Sequence, residues 1–161
     1  MKDTGRSVTP PRPAEKRPSV SVWHGRERVD EYQWRRAGNW QDVVWTGSEY
    51  LAVGLDGLVA RSSDGIAWTV ETVLGATDDL QSVAWNGEQF VAGGYGSLGP
   101  SLWSSLDGSV WVLRAEGSNG NFYDVIWSGT QFVAVGETTN SVNSRAWVSP
   151  DGVTWTMSPT I

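Results

Sequence analysis

Short apolar runs alternate with polar clusters along most of this chain. The runs are four to six residues long and rich in Val, Trp, Phe and Tyr, and Gly, Asn, Asp and Ser bound them. This pattern is typical of β-strands joined by tight turns, and no segment shows a sustained helical period. In the first clear unit it predicts four strands, at about 40–46, 50–54, 58–62 and 67–72. The chain is therefore predicted to be all-β.

The four-strand unit occurs three times. Each copy opens with a Val-rich segment ending in Trp-x-Gly, continues with an aromatic segment ending in Gly, and closes with Ser-x-Asp-Gly-x-x-Trp. The closing tryptophans fall at 68, 111 and 155, in steps of 43 and 44 residues, a period typical of repeat architectures. The closing signatures contain Ser62, Asp64, Gly65 and Trp68; Ser105, Asp107, Gly108 and Trp111; and Ser149, Asp151, Gly152 and Trp155.

The closing signature has the chemistry of a turn. In such a hairpin the Asp carboxylate accepts hydrogen bonds from backbone N–H groups of its own turn, Gly supplies a positive φ, and Trp packs beneath the loop. We therefore expect the three aspartates to form turns, and we predict no catalytic residue among them.

At these residues the chain resembles the Asp-box, or BNR-type, repeats of β-propellers, which occur in sialidases, in other glycan-binding and glycan-cleaving proteins, and in photosystem assembly factors. The resemblance covers about 39–158. It implies that 39–161 forms three propeller blades, at about 39–75, 80–115 and 121–158, with the signature on the last hairpin of each blade. In that family the Asp-box turn is usually distant from the active site.

The N-terminal segment has a different composition. Residues 1–18 contain four prolines and no aromatic residue, and they are predicted to form an extended, basic arm. Residues 19–38 are predicted to form a two-stranded partial blade, with strands at Val20–Trp23 and Tyr32–Arg36 around a loop at His24–Glu31. Residues 20–36 also resemble hairpins of bacteriophage tail proteins.

Charge and composition exclude several kinds of partner and site. Residues 1–38 hold nine Lys or Arg and five acids, whereas 39–161 hold three Arg and thirteen acids, so the acidic repeats argue against nucleic acid as a partner. No apolar run approaches the roughly 20 residues of a membrane helix, and Met1–Pro18 lacks the apolar stretch of a signal peptide. With no Cys and His24 as the single His, neither a metal site nor a cofactor is predicted.

Length variation indicates a candidate binding face. From the Gly that closes the second strand to the signature Ser, the three units span 8, 11 and 13 residues, while the other hairpins keep their length. Variation that collects on one face of a repeat protein often marks the binding face. The candidates there are Asp56, Tyr95, Ser97, Leu98, Glu137, Thr138, Asn140 and Asn143, together with the loops around Asp78–Asp79 and 118–121.

Two motifs with catalytic or cofactor associations are set aside. The glycines at 94, 96 and 99 match a dinucleotide fingerprint as a string, but that motif requires a strand followed by a helix. A sialidase site would need three converging arginines, and Arg61, Arg114 and Arg145 occupy different positions in their repeats. A non-catalytic protein is therefore predicted.

The number of repeats predicts a partner. Three and a half blades fall short of the usual ring of about 4–8, and an unclosed stack exposes Trp-rich faces. Either the N-terminal strand pair completes a four-bladed ring, or other protein subunits, first of all copies of this chain, associate with it. The function hypotheses are a structural or binding module such as a bacteriophage virion or tail component, a glycan- or receptor-binding lectin, and an assembly factor similar to the photosystem ones. The compartment is left open.

Overall fold

The computed structural model describes residues 21–23, 26–28, 39–72, 78–116, 120–138 and 144–158. The chain divides into two units, Met1–Asp30 and Glu31–Ile161. In the first, β1 (Ser21–Trp23) pairs with β2 (Arg26–Arg28) in an antiparallel hairpin. The strands of the second unit are β3 (Trp40–Trp45), β4 (Tyr50–Gly54), β5 (Leu58–Ser62), β6 (Thr69–Thr72), β7 (Asp79–Trp85), β8 (Phe90–Gly96), β9 (Gly99–Ser105), β10 (Val112–Glu116), β11 (Gly120–Trp127), β12 (Phe132–Thr138), β13 (Ser144–Ser149) and β14 (Thr156–Met157).

The described strands of the second unit form three antiparallel sheets of four. Sheet 1 contains β3–β6, sheet 2 contains β7–β10 and sheet 3 contains β11–β14, and in each sheet the strands lie in chain order. The predicted strand positions in the repeats are confirmed, because within each sheet every strand pairs with the next along the chain. The first strand of every sheet carries a β-bulge near its start, between Trp40 and Asp42, Leu80 and Ser82, and Phe122 and Asp124.

The N-terminal hairpin differs from the prediction. The partner of Ser21–Trp23 is Arg26–Arg28, inside the segment predicted as the loop His24–Glu31. The two residues between these strands in the sequence are His24 and Gly25, and a two-residue connection containing Gly favours a tight hairpin. The segment predicted as the second strand, Tyr32–Arg36, lies outside the described residues, as does the whole of the predicted arm at 1–18.

Each sheet has two different faces, which follow from the alternation of side chains along its strands. The aromatic face of each sheet carries a tryptophan paired with the aromatic residue that opens the second strand. These pairs are Trp45 and Tyr50 in sheet 1, Trp85 and Phe90 in sheet 2, and Trp127 and Phe132 in sheet 3. The aliphatic face carries Leu51, Val91 or Val133 with its cross-strand neighbours. The three sheets therefore present equivalent residues in the same order on the same sides.

The core consists of two layers between the sheets. In the first, Leu51, Val53 and Val59 on the aliphatic face of sheet 1 pack against Leu80 and Phe90 on the aromatic face of sheet 2. In the second, the aliphatic face of sheet 2 packs in the same way against the aromatic face of sheet 3; its members include Val91, Leu102, Phe122, Phe132 and Trp147. Sheet 2 thus lies between the other two, and burying each large side chain stabilises the fold by about 1.5–3 kcal/mol.

Candidate functional site

The first two Ser-x-Asp-Gly-x-x-Trp turns, called here Asp turns, have the same hydrogen bonds. In the first, Asp64 Oδ1 accepts bonds from Ser62 Oγ at 3.1 Å and from the N–H groups of Ile66 and Ala67 at 2.8 and 2.9 Å. Asp107 in the second turn accepts the equivalent bonds at 3.1, 2.8 and 2.9 Å. The indole N–H groups of Trp68 and Trp111 donate to the carbonyls of Gly65 and Gly108.

The third Asp turn keeps the carboxylate contacts and differs at its tryptophan. Asp151 Oδ1 accepts bonds from Ser149 Oγ and from the N–H groups of Val153 and Thr154 at 2.8–2.9 Å. The buried Nε1 of Trp155 has no hydrogen-bond partner among the described residues. Hydrogen bonds from the N–H groups of Thr154 and Val153 lower the pKa of Asp151 to about 2.

Backbone bonds lower the pKa of Asp107 as well, through the N–H groups of Val110 and Ser109. A carboxylate with a lowered pKa holds its charge and is a poor proton donor or acceptor near neutral pH. The carboxylate hydrogen bonds described for the three aspartates come from their own turns, so they stabilise hairpins.

The second and third Asp turns also contact the preceding sheet. A Cβ added to Gly108 would lie 2.5 Å from both Arg61 Nη2 and Leu51 Cδ1. A Cβ at Gly152 would lie 2.7 Å from Gln89 Nε2, and this amide donates a hydrogen bond to the Asp151 carbonyl. In both cases Gly has a positive φ, 70° and 66°. The glycines therefore serve close packing between sheets in addition to the turn.

The opposite ends of the sheets hold the residues predicted as a binding face, and three acidic or aromatic residues meet there. The N–H of Asp56, which has a φ of 59°, donates to Asp79 Oδ1 at 3.0 Å. Asp79 pairs across the strands with Tyr95, whose side chain is 45% exposed. Asp56 and Asp79 come from neighbouring sheets, so this end of the stack has a continuous surface that includes Asp56, Asp79 and Tyr95.

Asp78, from the same predicted loop, is buried instead. It is 8% exposed, and the indole N–H of Trp103 donates to its Oδ2 at 3.0 Å. A Cβ at Gly96 would lie 2.5 Å from the Asp78 carboxylate. The glycine therefore leaves the space that the carboxylate occupies, and Asp78 positions the beginning of β7 against the β8–β9 hairpin.

The longer second unit has longer strands, not a longer loop. The β4–β5 connection is a 3₁₀ turn, Leu55–Gly57, between strands of five residues. The β8–β9 connection contains two residues, Ser97 and Leu98, between strands of seven. Both connecting residues are exposed, Leu98 at 66%. The glycines at 94, 96 and 99 lie within this hairpin, as expected for an accidental match to the dinucleotide motif.

In sheet 3 the described candidates lie at the end of β12. Glu137 pairs with Asn121 and Ser144, and a hydrogen bond to its carboxylate raises the pKa of the exposed Tyr123. Thr138 is the last residue of β12, and Asn140 and Asn143 lie outside the described residues. The structure gives no contact between Glu137 and the surface formed by Asp56, Asp79 and Tyr95.

The three arginines of the repeats lie in different environments. Arg61 pairs with Glu49 at 3.2 Å, and its Nε and Nη2 are buried without a described partner near the second Asp turn. Arg114 donates from Nε to Ser104 Oγ at 2.8 Å. Arg145 lies in β13, opposite Gly136. The described partners of Arg61 and Arg114 differ, Glu49 for the first and Ser104 for the second. The described contacts bring no two of the three arginines to a common ligand.

One polar network was missed by sequence reasoning. Asp42, Ser82 and Asp124 occupy the same position after the bulge in the first strand of each sheet. Ser82 Oγ lies 3.0 Å from Asp42 Oδ2 and 2.8 Å from Asp124 Oδ1. A hydroxyl has one proton, so it can donate to only one of the two carboxylates at a time. The signal is visible in the sequence as Asp-Val-Val-Trp, Ser-Val-Ala-Trp and Asp-Val-Ile-Trp.

The aromatic face of sheet 1 carries an apolar pocket of about 280 Å³. It is lined by Trp40, Gln41, Asp42, Val43, Ala52, Ala60 and Trp68. Ala60 stands where Trp103 and Trp147 stand in the other sheets, and both of those tryptophans pack into the core. The pocket therefore occupies the place that a tryptophan fills in sheets 2 and 3.

The described residues contain neither a cluster suited to a metal ion nor a helix that could span a membrane. None of their groups of His, Cys, Asp and Glu has three members placed to hold a metal ion. Among the helices that the structure describes, none has the length and apolar composition needed to cross a bilayer.

Comparison with known proteins gives structural relatives alone. No family model matches the chain, and no curated protein matches it. The WD40 β-propeller domain of Doa1 is similar to it with a TM-score of 0.54 and 18% identity, over 72% of this chain and 39% of that one. The GH74 xyloglucanase from Xanthomonas campestris is similar with a TM-score of 0.56 and 15% identity, over 83% of this chain and 22% of that one.

These similarities show the fold. The chain spans well under half the length of either relative, and the sequence identities are low. Neither similarity tests the resemblance to Asp-box repeats or to tail-protein hairpins, which stay predictions. Three four-stranded meanders stacked face to face, together with the propeller structures they match, establish a fold of the β-propeller type.

Proposed function

We propose that this protein is a non-catalytic binding module that works within an assembly of protein subunits. One observation carries the proposal: the two outer faces of the stack carry the same kinds of residue that are buried between the sheets. On the aromatic face of sheet 1, Val43 and Trp45 are 52% and 48% exposed, whereas the equivalent Val83 is 5% exposed. On the aliphatic face of sheet 3, Ile126 is 52% exposed and its equivalent Ala84 is 5% exposed.

Apolar surface of this extent favours a covering partner, because soluble proteins rarely leave large contiguous apolar patches exposed. The WD40 relative belongs to a propeller class in which binding to other proteins is a common role, which supports the proposal in general terms. A bacteriophage tail component and an assembly factor similar to the photosystem ones are specific forms of it, and the neighbouring genes would distinguish them.

Light scattering on the purified chain tests the proposal. The expected mass of the particle is above the 17.6 kDa of one chain, and the apparent mass should rise with concentration. A particle of one chain at every concentration, with no protein partner recovered from its source, would contradict it. The absence of catalysis is tested separately with xyloglucan and sialosides, from which no sugar should be released.

A second candidate function is recognition of a glycan or receptor by the variable ends of the sheets. It is favoured by the exposed Tyr95 and Leu98, because exposed aromatic and apolar side chains on loops are common in binding sites. A glycan array with the wild-type chain and with Tyr95→Ala and Leu98→Ala tests it. Binding that is absent, or that neither substitution weakens, would exclude this candidate.

A further inference from the structure

We propose that the aromatic face of sheet 1 binds the aliphatic face of sheet 3 of a second copy of this chain. This inference rests on the proposed function, in that it names the partner and the two surfaces. The contact would repeat the two interfaces that already exist within the chain, between sheets 1 and 2 and between sheets 2 and 3. Two kinds of contact occur in both of these interfaces, and a third occurs between sheets 2 and 3. Each of the three has a counterpart on the two outer faces.

The first kind is the packing of aromatic against aliphatic residues. Leu80 and Phe122 lie near the start of the first strand of sheets 2 and 3, on the aromatic face. Leu80 packs against the aliphatic face of sheet 1, and Phe122 packs against that of sheet 2. A Cβ added to Gly93 would lie 3.2 Å from Phe122 Cβ, which places these two positions in contact. The equivalent positions on the outer faces are Val135 and Trp40. Docking of a second copy would therefore bring Val135 of one copy against Trp40 of the other.

The second kind is a polar contact to the strand after the bulge. The N–H of Val83 donates to Asp42 Oδ2 at 2.9 Å, and the N–H of Val125 donates to Ser82 Oγ at 3.2 Å. In sheet 1, the equivalent N–H of Val43 donates instead to its own neighbour, Asp42 Oδ1, at 2.8 Å. Asp124, the next member of the series, is exposed on sheet 3. Its carboxylate would accept a hydrogen bond from the backbone N–H of Val43 of a second copy.

The third kind is a contact to the Asp turn. The Gln89 side chain of sheet 2 donates to the carbonyl of Asp151 in the third turn. Gln131 occupies the same position in sheet 3, directly before Phe132. In the docked arrangement its amide would reach the carbonyl of Asp64 in the first turn of the second copy. The outer faces thus carry both halves of this contact.

The two outer faces also match in size. On its aliphatic face, sheet 3 has Ile126 and Val135 where sheet 2 has Ala84 and Gly93 and sheet 1 has Val44 and Val53. Sheet 1 has Ala60 where the others have tryptophan, and the 280 Å³ pocket is the result. The bulkier aliphatic face of sheet 3 would therefore meet the aromatic face of sheet 1, which contains the pocket. The core of a protein interface has a packing density close to that of protein interiors, so such a fit favours association.

This contact is heterologous, because different surfaces of the two copies meet. A heterologous contact forms a ring when its rotation closes, and two copies would supply six sheets, within the range of about 4–8 known for propellers. Val43→Arg blocks one surface and Ile126→Arg blocks the other. Both residues are about half exposed, so neither variant should unfold the chain, and circular dichroism checks that.

Sedimentation equilibrium of the full chain is the test. The wild type should have twice the mass of one chain, and each variant alone should have the mass of one. An equal mixture of the two variants should recover a particle of two chains, because one unmodified interface then exists. Leu106→Arg, at a residue that is 75% exposed in the second Asp turn, is the matched control and should behave as the wild type does.

Other outcomes overturn the inference in distinguishable ways. A wild type with the mass of one chain, and no partner, contradicts the proposed function too. A wild type that assembles with both variants unaffected leaves the proposed function standing and contradicts these surfaces. If Val43→Arg alone disrupts the particle, the aromatic face pairs with itself or with residues 1–38, and the inference is wrong. Val43→Gln and Ile126→Gln repeat the experiment if an arginine variant fails to fold.

Discussion

Tyr50 and Phe90 occupy the same position in consecutive sheets, and their surroundings differ in one respect. Each ring packs against the tryptophan of its own sheet, at 4.4 Å for Trp45 and 4.2 Å for Trp85. Each also lies about equally far from the tryptophan of its Asp turn, 6.3 and 6.2 Å away. Phe90 is 2% exposed because sheet 1 covers it, whereas no described sheet covers Tyr50.

This difference distinguishes the contacts that form within a single sheet from the burial that a neighbouring sheet provides. Sheet 1, which has no preceding described sheet, and sheet 2, which has one, contain the same Asp-turn bonds and the same aromatic pairs. Burial of the face is different, and so is the environment of the glycine in the Asp turn. The repeat therefore determines the structure of each sheet, and stacking determines how much each residue contributes to stability.

The largest effect is expected at Phe90. Phe90→Ala should lower the free energy of unfolding by about 3–5 kcal/mol, because it removes a buried ring and leaves a cavity. Tyr50→Ala removes the same contacts within a sheet and should cost about 1–2 kcal/mol. Urea denaturation at low protein concentration, where association is weakest, measures both. Equal losses would mean that sheet 1 contributes little to the burial of Phe90.

The next effect is expected at the glycine of the Asp turn. Gly65 and Gly108 have almost the same φ, 71° and 70°, so Ala strains both turns equally. A Cβ at Gly65 would meet no atom closer than 3.4 Å, but at Gly108 it would lie 2.5 Å from Leu51 and Arg61 of the preceding sheet. Gly65→Ala should cost about 1–2 kcal/mol, and Gly108→Ala about 1–3 kcal/mol more, the usual range for overpacking.

Thermal unfolding of these two variants measures the difference directly. If Gly65→Ala is as damaging as Gly108→Ala, backbone strain alone accounts for the glycine, and the contact between the sheets is unimportant. A crystal structure of Gly108→Ala should show the second turn displaced from Arg61, with the first turn unchanged.

The sequence allowed the strands and turns of the repeats to be predicted, because they depend on neighbouring residues. The alternation around Trp45 and Tyr50 determines which side chains share a face, and Gly47 has a φ of 101° in the turn between β3 and β4. The loop predicted at His24–Glu31 was wrong, because Arg26–Arg28 forms β2 and pairs with β1. Short strands with several possible partners have no marked register, and a two-residue connection at 24–25 favours a tight hairpin.

The candidate sites were harder to predict because they depend on stacking. Asp42, Ser82 and Asp124 lie about 40 residues apart in the sequence, and only sheets packed face to face bring them together. The pocket beside Ala60 follows from one missing tryptophan, whose effect requires knowing what the tryptophan packs against. By contrast, Tyr95 and Leu98 were chosen from the sequence for the variable stretch, and both are exposed, Tyr95 near the end of β8 and Leu98 in the connection after it.

The smallest effect is expected on acidification, and it should not depend on neighbouring sheets. The pKa of Asp151 is about 2 in the folded chain and about 3.9 for an unperturbed Asp. A lowered pKa in the folded state contributes stability that is complete above the unfolded pKa and is lost as the pH falls through the folded pKa. The Tm should therefore fall from about pH 4.5 toward pH 2.

Asp151→Asn should make this fall shallower, because the amide oxygen still accepts bonds and cannot be protonated in this range. Glu88→Gln, which removes one exposed carboxyl elsewhere, is the control for charge and should leave the slope unchanged. The hydrogen bonds to the Asp151 carboxylate come from its own turn, so the same difference should appear in the Val43→Arg background, where the proposed association is blocked. If the slope of Tm against pH changed with association, the Asp turn would depend on a neighbouring sheet. The turns could then not be assigned to the single sheet, as the comparison of Tyr50 with Phe90 assigns them.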